Sequence, residues 1–483
     1  MNLKFYAGLF SSALLAAAWS PASAQSLDLV KPAAASVPEL RRQAQQASID
    51  KNYAALRDAL EELHRQRPNN SDYMYQLVLA YALLDDKQPA FNIMLQMQRQ
   101  GLSYDFNQAP ESANLRGLQL YDYLNDLMVG AGQPVGVAEP VVTLDSKIEL
   151  PETIAWDPQR ERFLVGTITH GQILAVSKEG DTEELLRASD ENGIWGIQGL
   201  AVDAERNRLW VSSAANPQFS GYSPVDKGKS ILFEFRLDDM ELLHRYWVPV
   251  DGRPHSLGKL AVAPDGDVYA ADALLPMVYV KEAEKDRLRP FFAAGSLVSL
   301  RGLALSDDGK MLYVADYEMG VAVIDIEAGQ TYMLNTPNTL NLGGIDGLNF
   351  WQGQLVVIQS GIRPQRLMSL ELDENRLGVS NIAPLAVALD SLDYPSYGTV
   401  VGDDLYFFAN THRAGSGDEP GEVTIARTPL DEAPQIIDPE AERLFEKIEQ
   451  ARQRGDVRPA PGQETGGSET AESVEESGRP SGG

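Results

Sequence analysis

A short alternation of polar and apolar positions recurs six times between residues 152 and 410. Each copy opens on a polar residue or a glycine, runs through an aliphatic stretch, crosses a turn that is usually rich in Asp, Gly or Asn, and closes on a second apolar stretch. The copies begin, in chain order, at Glu152, Gln198, Gly258, Arg301, Asp346 and Tyr397. Two apolar stretches around a tight turn predict a pair of short antiparallel strands in every copy.

The spacing of the copies indicates how these strand pairs pack. Their starts lie 43 to 60 residues apart, close to the length of one blade in a β-propeller. One strand pair cannot bury both of its faces, whereas six radially packed sheets can, and they leave few exposed edges. The sequence therefore predicts a mainly β fold, with a six-bladed β-propeller over residues 140–430. Equivalent positions of the six blades would meet at one mouth of a central channel, where a site is expected.

Residues 37–132 follow a different period. Apolar residues recur there at the three-to-four spacing of amphipathic helices, and Pro-, Gly- and Asn-containing breaks separate the helical stretches. The segments NYAALRDALEELHRQRP and SDYMYQLVLAYALLDDKQPAFNIMLQMQRQG resemble tetratricopeptide helix pairs, whose period is about 34 residues. A third helix is predicted from Ala113 to Met128. The resemblance implies either a groove for a peptide or protein partner or a helical buttress on the propeller, and the sequence leaves both open.

The flanks of the repeats complete the predicted propeller. Residues 133–150 link the two domains, and residues 141–144 are predicted to form the opening strand. The segment GDEPGEVTIARTPLD, after the sixth copy, is expected to supply the last outer strand. The second blade carries an insertion, AANPQFSGYSPVDKGKS, on the face where the copies begin. This insertion is either a lid over the channel or an ordinary surface loop.

Both ends of the chain have compositions of their own. Residues 1–24 contain Lys4, an apolar stretch and a small-residue site ending at Ala24, which predicts a cleavable secretory signal peptide and a periplasmic or secreted protein. A surface helix is predicted at residues 439–454. Residues 455–483 have almost no large apolar side chain and are predicted to be a disordered acidic tail. No later segment reaches the length of about 18 apolar residues that a membrane span needs.

Charge and cysteine content restrict the function classes. The net charge of −28 argues against a nucleic acid as partner, since phosphates would be repelled. An acidic surface is compatible with cation binding but is also typical of a soluble protein. The chain has no cysteine, so the exported fold has to be held by its core alone, without disulfides.

The first residues of the copies define the predicted channel mouth. The second strand of each copy returns to the same face, where it ends near Thr167, Ser213, Asp272, Asp316, Gln359 and Asn410. The third blade adds the stretch from His255 to Gly258. The residues predicted to bind a ligand at this mouth are Gln198, Ser256, Arg301, Asp272, Gln359 and Asn410. Two carboxylates, Glu152 and Asp346, together with polar side chains could coordinate a hard cation such as Ca²⁺.

Three of the copies resemble one family in particular. LPETIAWDPQ is similar to the opening of the SMP-30/gluconolactonase family, in which the glutamate is a metal ligand. RGLALSDDGKMLYVADYEMGVAVIDI and GGIDGLNFWQGQLVV resemble two further blades of that family. The resemblance spans residues 140–430 and implies a six-bladed propeller that is often a divalent-metal lactonase or esterase. It also implies that Glu152 and Asp346 correspond to metal ligands.

The departures from this family concern the metal site. Where the family has a metal-binding asparagine before Gly-Leu-Ala, this chain has Arg301, and the third blade has Ser256-Leu257-Gly258-Lys259 in place of Asn-Asp-Gly-Lys. A guanidinium has five donors and no acceptor, so it cannot ligate a cation. One hypothesis is that Arg301 occupies the place of the metal and bridges Glu152 and Asp346. The alternatives are that Arg301 points away from a reduced metal site, or that the propeller is generic.

Other residues are weaker candidates for chemistry. His255 lies directly before the third inner strand and is predicted either to act as a general base at the mouth or to be a loop histidine. Asp316 is its companion as a catalytic candidate. The chain contains no Gly-x-Ser-x-Gly elbow, no His-Glu-x-x-His helix and no Walker loop, which disfavours serine hydrolases, zincins and nucleotide hydrolases.

Two functions therefore compete. The first is an exported module that binds a small molecule or a protein through the channel mouth or the helical domain. The lost asparagines, Arg301 and the repeat-like helices favour it. The second is a Ca²⁺-dependent hydrolase of the lactonase type that retains Glu152 and Asp346, with His255 or Asp316 assisting. Propellers carry both kinds of function, so the fold does not decide between them.

Overall fold

A computed structural model describes residues 35–411 and 421–431 of the 483-residue chain. The predicted signal peptide, the helix predicted at residues 439–454 and the acidic tail lie outside the described residues. Within the described part of the chain, no helix combines the length and the apolar character that crossing a membrane would require.

The N-terminal domain consists of five α-helices. They are α1 (Val37–Ile49), α2 (Tyr53–Gln66), α3 (Ser71–Leu83), α4 (Lys87–Arg99) and α5 (Gln119–Gly130), with short 3₁₀ helices at Phe106–Gln108 and Pro110–Asn114. Asn52 and Asn70 cap α2 and α3, because each side chain accepts a hydrogen bond from the backbone N–H three residues on. Leu60, Leu63 and Met74 are buried in a core shared by the helices.

The helices repeat with a fixed offset. The starts of α1 and α3 are 34 residues apart, and so are the starts of α2 and α4, which is the period of tetratricopeptide repeats. The domain is thus helical as predicted, while its tetratricopeptide nature stays a prediction. The predicted helix from Ala113 was wrong at its start: Ala113 lies in the second 3₁₀ helix, and α5 begins only at Gln119. Pro110 fits the first turn of that short helix, and Gly117 interrupts the chain at a positive φ of 75°.

The rest of the described chain forms six antiparallel sheets around a central channel. Two strands precede the first blade: β1 (Val135–Gly136) and β2 (Glu139–Leu144). Blade one contains β3 (Pro151–Asp157), β4 (Arg162–Thr167), β5 (Gln172–Val176) and β6 (Thr182–Arg187). Blade two contains β7 (Gly196–Asp203), β8 (Arg208–Ala214), β9 (Ser230–Arg236) and β10 (Leu242–Trp247). Blade three contains β11 (Leu257–Val262), β12 (Val268–Asp272), β13 (Met277–Lys281) and β14 (Leu288–Ala293). Blade four contains β15 (Leu300–Leu305), β16 (Met311–Asp316), β17 (Gly320–Asp325) and β18 (Gln330–Met333). Blade five contains β19 (Ile345–Trp351), β20 (Gln354–Gln359), β21 (Arg366–Leu372) and β22 (Val379–Val387). Blade six contains β23 (Ser396–Val401), β24 (Asp404–Phe408) and β25 (Val423–Pro429). The predicted six-bladed propeller is confirmed.

The sixth blade closes the ring with a strand from the start of the propeller. Its order is β2-β25-β24-β23, so Val142 pairs with Ile425 across almost the whole propeller sequence. The opening strand predicted at residues 141–144 therefore belongs to the last blade. The segment after the sixth copy supplies β25, the last strand in the chain, but as the third strand of its blade, with β2 outside it. Strand β1 adds a fifth strand to blade five by pairing with β22.

Every innermost strand contains a β-bulge at the same place. In blade one Pro151 pairs with Thr167 and Thr153 with Gly166, so Glu152 is left over. The same omission occurs in the other blades, where the bulged residues are Gln198, Gly258 with Lys259, Arg301, Asp346 and Tyr397. A bulge bends its strand and redirects one side chain. The six-fold sequence repeat is thus also a repeat of bulges at one mouth of the channel.

Apolar side chains fill the spaces between neighbouring blades. Leu164 of blade one and Val211 of blade two belong to one buried cluster, and Leu355 of blade five joins Val323 of blade four in another. In blades two and four the residue after the bulge is glycine because the neighbouring blade approaches closely there. A Cβ on Gly199 would lie 2.2 Å from the carbonyl oxygen of Gly258, and one on Gly302 would lie 2.7 Å from Cβ of Leu348.

The helical domain is seated on blades four and five, at the face where the inner strands begin. Arg67 forms an ion pair with Glu318, and Asn69 Nδ2 donates to the carbonyl oxygen of Met319 at 3.1 Å. Deeper in the interface, Arg366 is 5% exposed and donates to the carbonyl oxygen of Gln100 at 3.0 Å. The helical domain therefore packs on the propeller, as the buttress interpretation predicted. Partner binding by this domain stays a prediction.

Candidate functional site

The bulged residues surround one mouth of the channel, and we call the set Glu152, Lys259, Arg301, Asp346 and Tyr397 the ring. In five blades the bulge contributes one side chain that the sequence analysis had already placed there. In the third blade two residues oppose the single residue Ala271, so that Gly258 and Lys259 share the bulge. Gly258 offers no side chain, and Lys259 takes the position that is glycine or threonine in the other copies.

Lys259 is the ring residue that the sequence analysis overlooked. Its Nζ donates to the carbonyl oxygen of Glu152 at 2.6 Å and to that of Gln198 at 3.0 Å. Nζ also lies 3.7 Å from Oε1 of Glu152 and 3.1 Å above the ring centroid of Tyr397. The side chain is only 13% exposed. Two carbonyls, one carboxylate and an aromatic face therefore enclose the ammonium, as oxygen ligands would enclose a metal ion.

The proximity of these charges shifts their pKa values. Burial lowers the pKa of Lys259 to about 8, although the Glu152 carboxylate opposes the shift. Burial raises the pKa of Glu152, against the influence of Lys259 and Arg301. The pKa of Tyr397 is raised well above its usual value by burial and then by the two carboxylates, so its phenol stays neutral.

Arg301 keeps its charge in this setting. Burial alone would lower its pKa, but Tyr397, Asp346 and Glu152 together outweigh burial and raise it. Its Nε donates to Oγ of Ser299 at 3.2 Å, and Cζ lies 5.6 Å from the ring centroid of Tyr317. Arg301 is thus electrostatically linked to both carboxylates, while the ion pair of Glu152 is with Lys259. That Arg301 bridges Glu152 and Asp346 stays a prediction.

Asp316, a predicted catalytic residue, binds backbone. Its carboxylate is fully buried and accepts hydrogen bonds from four backbone N–H groups. They belong to Val298, Ser299, Glu318 and Met319, at distances of 2.5 to 2.9 Å. The geometry ties the loop before the inner strand to the loop after the second strand. These four donors occupy the lone pairs that a general base would need.

His255, the other catalytic candidate, is held between two carboxylates. Nδ1 lies 2.7 Å from Oδ2 of Asp272, and Nε2 lies 2.9 Å from Oδ1 of Asp251. The hydroxyl of Tyr279 lies 3.2 Å from the same Nδ1, and the imidazole is 5% exposed. Both ring nitrogens are therefore engaged inside blade three, away from the residues that line the channel.

The other predicted mouth residues also have mainly structural contacts. Asp272 accepts hydrogen bonds from the backbone N–H groups of Ser256, Leu274 and Leu275. Gln359 is fully buried and donates to the carbonyl oxygens of residues 341 and 343. Asn410 accepts from the N–H of Thr424. Of the predicted channel-mouth binding residues, Gln198 and Arg301 are the two whose contacts belong to the ring.

A cavity of about 360 Å³ occupies the channel on the inner side of the ring. It extends along the six inner strands to the turns at their far ends, where Pro158 and Ala204 lie. Lys259 and Arg301 are the charged side chains of its lining, and Asn349 and Tyr397 are further polar members. The volume is within the range of small-molecule pockets.

The ring does not fit a divalent cation. An ammonium lies 3.7 Å from the Glu152 carboxylate, and a second cation, Arg301, influences both carboxylates. Neither nitrogen group has a lone pair to offer a metal. Across residues 35–411 and 421–431, no group of three or more His, Asp or Glu side chains is placed to hold a metal ion.

Comparison with known proteins finds similar solved structures but does not assign the chain to a family. No protein-family model matches the chain, and no curated protein matches it. A protein assigned as an oxidoreductase (glucose dehydrogenase) from Thermus thermophilus is 18% identical, covers 60% of this chain and 99% of its own, and gives a TM-score of 0.44. The PQQ-bound aldose sugar dehydrogenase of Streptomyces coelicolor is 13% identical, with coverage of 62% and 98% and a TM-score of 0.43. A luciferin-regenerating enzyme is 15% identical, with coverage of 62% and 95% and a TM-score of 0.43.

These likenesses carry no functional assignment, because the identities and TM-scores are low. Membership of the SMP-30/gluconolactonase family is not shown either, and the resemblance stays one of motifs.

Proposed function

We propose that this protein is an exported, metal-independent binding module. The observation that carries the proposal is the position of Lys259. Its ammonium lies 3.7 Å from the Glu152 carboxylate and is held by two backbone carbonyls, where the family resemblance would place a divalent cation. Lys259 and Arg301 supply positive charge next to Glu152 and Asp346. These two side chains therefore take the role of a bound metal ion in the channel.

Electrostatic repulsion supports the metal-independent proposal over a bound Ca²⁺ ion. Two unit charges of the same sign 4 Å apart repel by about 4 kcal/mol at an effective dielectric constant near 20. A divalent ion beside the Lys259 ammonium would therefore meet a repulsion of about 8 kcal/mol on the same scale. Binding would require Lys259 to leave its two carbonyl partners or to lose its proton.

The helical domain is the second part of the proposal. Its helices repeat every 34 residues, which supports a tetratricopeptide-like pair of repeats. We assign it a protein-binding role in addition to its contact with blades four and five. Export rests on the composition of residues 1–24, and the N-terminal sequence of the protein isolated from its host tests it.

The alternative is a Ca²⁺-dependent lactonase or esterase. It is favoured by one observation, namely that Glu152 and Asp346 both stand at the ring, at the positions that match metal ligands in the resembling family. A hydrolase of this kind needs the ion to polarise the substrate carbonyl.

Calorimetric titration with Ca²⁺ separates the two functions. The protein is first treated with chelator, and Glu152→Gln is titrated in parallel as the control. We expect no saturable heat with either protein, and no change in the hydrolysis of a γ-lactone when Ca²⁺ is added. Saturable binding that Glu152→Gln abolishes, together with Ca²⁺-dependent hydrolysis, would refute the binding-module proposal and establish the hydrolase.

A further inference from the structure

The charges that line the channel cavity are of one sign. The described residues of the lining include two cations, Lys259 and Arg301, and no Asp or Glu. This is unusual in a chain with 69 acidic and 41 basic residues. The carboxylates of Glu152 and Asp346 belong to the ring but are not among the lining residues. A molecule that enters along the inner strands therefore meets donors and positive charge at the ring.

Unused hydrogen-bond donors point to the same kind of ligand. Nδ2 of Asn349, in the cavity lining, is buried and makes no hydrogen bond within the described residues. Nε2 of Gln198 is in the same situation in a side chain that is 7% exposed, next to the carbonyl that binds Lys259. A buried donor without a partner destabilises the folded protein. Nδ2 of Asn349 would gain an acceptor from a ligand in the cavity that brings oxygen atoms and no donors, whereas Gln198 is not among the lining residues.

We propose that this cavity binds a small organic monocarboxylate, with its carboxylate at the ring end and its apolar part along the inner strands. The inference rests on the proposed function and names its ligand class. In this arrangement Arg301 directs paired N–H groups at the ligand carboxylate instead of bridging Glu152 and Asp346, and paired contacts are the geometry in which guanidinium recognition is strongest. Asn349 supplies a neutral donor from the cavity wall.

The charge balance of the ring favours a monoanion over a dianion. Two cations, Lys259 and Arg301, stand against two carboxylates, Glu152 and Asp346, so the ring has no net charge with which to balance a dianion. The net charge of −28 also raises the cost of bringing a dianion to the protein. The apolar part of the ligand would contact Leu200, Leu303 and Leu348, which line the cavity.

Paired probes test the inference directly. Acetate, butyrate and hexanoate are compared with acetamide, butyramide and hexanamide by ligand-observed saturation-transfer NMR on the full chain. A hydrogen bond to a charged group contributes about 1.5–3 kcal/mol, so we expect each carboxylate to bind about 10-fold to 100-fold more tightly than its amide.

Two variants locate the binding, and a third controls for charge. Arg301→Gln and Asn349→Leu are each expected to weaken butyrate binding about 10-fold. Arg206→Gln removes the same charge from a half-exposed residue that binds Asp203 and the Pro264 carbonyl outside the cavity lining. It should change butyrate affinity less than about twofold, because an exposed charge is screened. Asn349→Leu alters no charge, so it decides the case if Arg301→Gln does not fold.

Three results would overturn the inference. They are equal binding of carboxylates and amides, an Arg206→Gln effect as large as that of Arg301→Gln, and the absence of carboxylate binding. None of them requires Ca²⁺ to bind. The failure of the carboxylate assignment is thus distinguishable from the failure of the metal-independent proposal, which the Ca²⁺ titration tests.

Discussion

The buried ammonium of Lys259 should make the stability of the protein rise with pH in an alkaline window. Its pKa is about 8 in the folded protein, against an ordinary value of 10.5. Between these values the unfolded chain keeps a proton that the folded chain has lost, so the free energy of unfolding increases with pH. The difference corresponds to about 3 kcal/mol at 1.36 kcal/mol for each pKa unit. The cost of the ammonium is fully present below pH 8 and is gone above pH 10.5.

The assay compares wild type with Lys259→Met. Both proteins are unfolded with urea at several pH values from neutral to about 10.5, and the variant's free energy of unfolding is subtracted from that of the wild type. The subtraction removes groups that titrate alike in both proteins. We expect the wild-type value to gain about 3 kcal/mol on the variant across the window. Lys259→Gln, which can still donate to one carbonyl, is the second variant.

A difference that stays constant within about 0.5 kcal/mol would show that burial does not destabilise the Lys259 ammonium, because an ammonium with ordinary solvation produces no such slope. A difference that falls with pH would be equally contradictory. It would mean that Glu152 and the two carbonyls stabilise the charged form by more than burial costs.

Three further predictions concern residues outside the cavity. Arg366→Gln removes a guanidinium that binds Gln359 and two backbone carbonyls, and it should lower the free energy of unfolding by about 3 kcal/mol and make the helical domain easier to cleave by protease. Asp316→Asn loses the charge that accepts four backbone N–H groups, so it should cost about 2–4 kcal/mol in urea unfolding while butyrate affinity stays within about twofold. His255→Gln cannot satisfy both Asp251 and Asp272, and thermal unfolding should show a loss of about 1–3 kcal/mol. A large loss of butyrate binding in Asp316→Asn or His255→Gln, without a loss of stability, would restore these residues to the site.

The repeat pattern of the sequence was sufficient for the propeller but not for its closure. Six copies with apolar triplets predict six blades because each triplet has to be buried between neighbours. The pairing of Val142 with Ile425 joins two segments far apart in the chain, and the sequence pattern of neither segment indicates its partner. The order of the last blade therefore followed only from the structure.

The site was predictable where the copies are in register. Glu152, Arg301 and Asp346 could be placed at the channel because each is the first residue of its copy. Lys259 was not predicted because the third bulge leaves two inner-strand residues unpaired, Gly258 and Lys259, where the other bulges leave one. The channel-facing side chain is therefore the second residue of this copy and not the first. The signal was present in the sequence as a lysine where the other copies have glycine or threonine.

Residue type alone did not show what holds the catalytic candidates in place, and their catalytic role stays a prediction. Asp316 and His255 lie at strand ends near the mouth, as predicted, but their hydrogen-bond partners decide what they do. Those partners are backbone N–H groups of loops for Asp316, and the carboxylates of Asp251 and Asp272 for His255. Loop backbone positions cannot be inferred from the apolar pattern that predicts the strands.

Soaking crystals of the wild-type protein in Mn²⁺ and measuring anomalous scattering would decide whether Lys259 takes the place of a metal ion in the channel. We expect no anomalous peak within the ring, with Nζ of Lys259 at the Glu152 and Gln198 carbonyls. A peak coordinated by the Glu152 and Asp346 carboxylates, with Lys259 displaced, would contradict it.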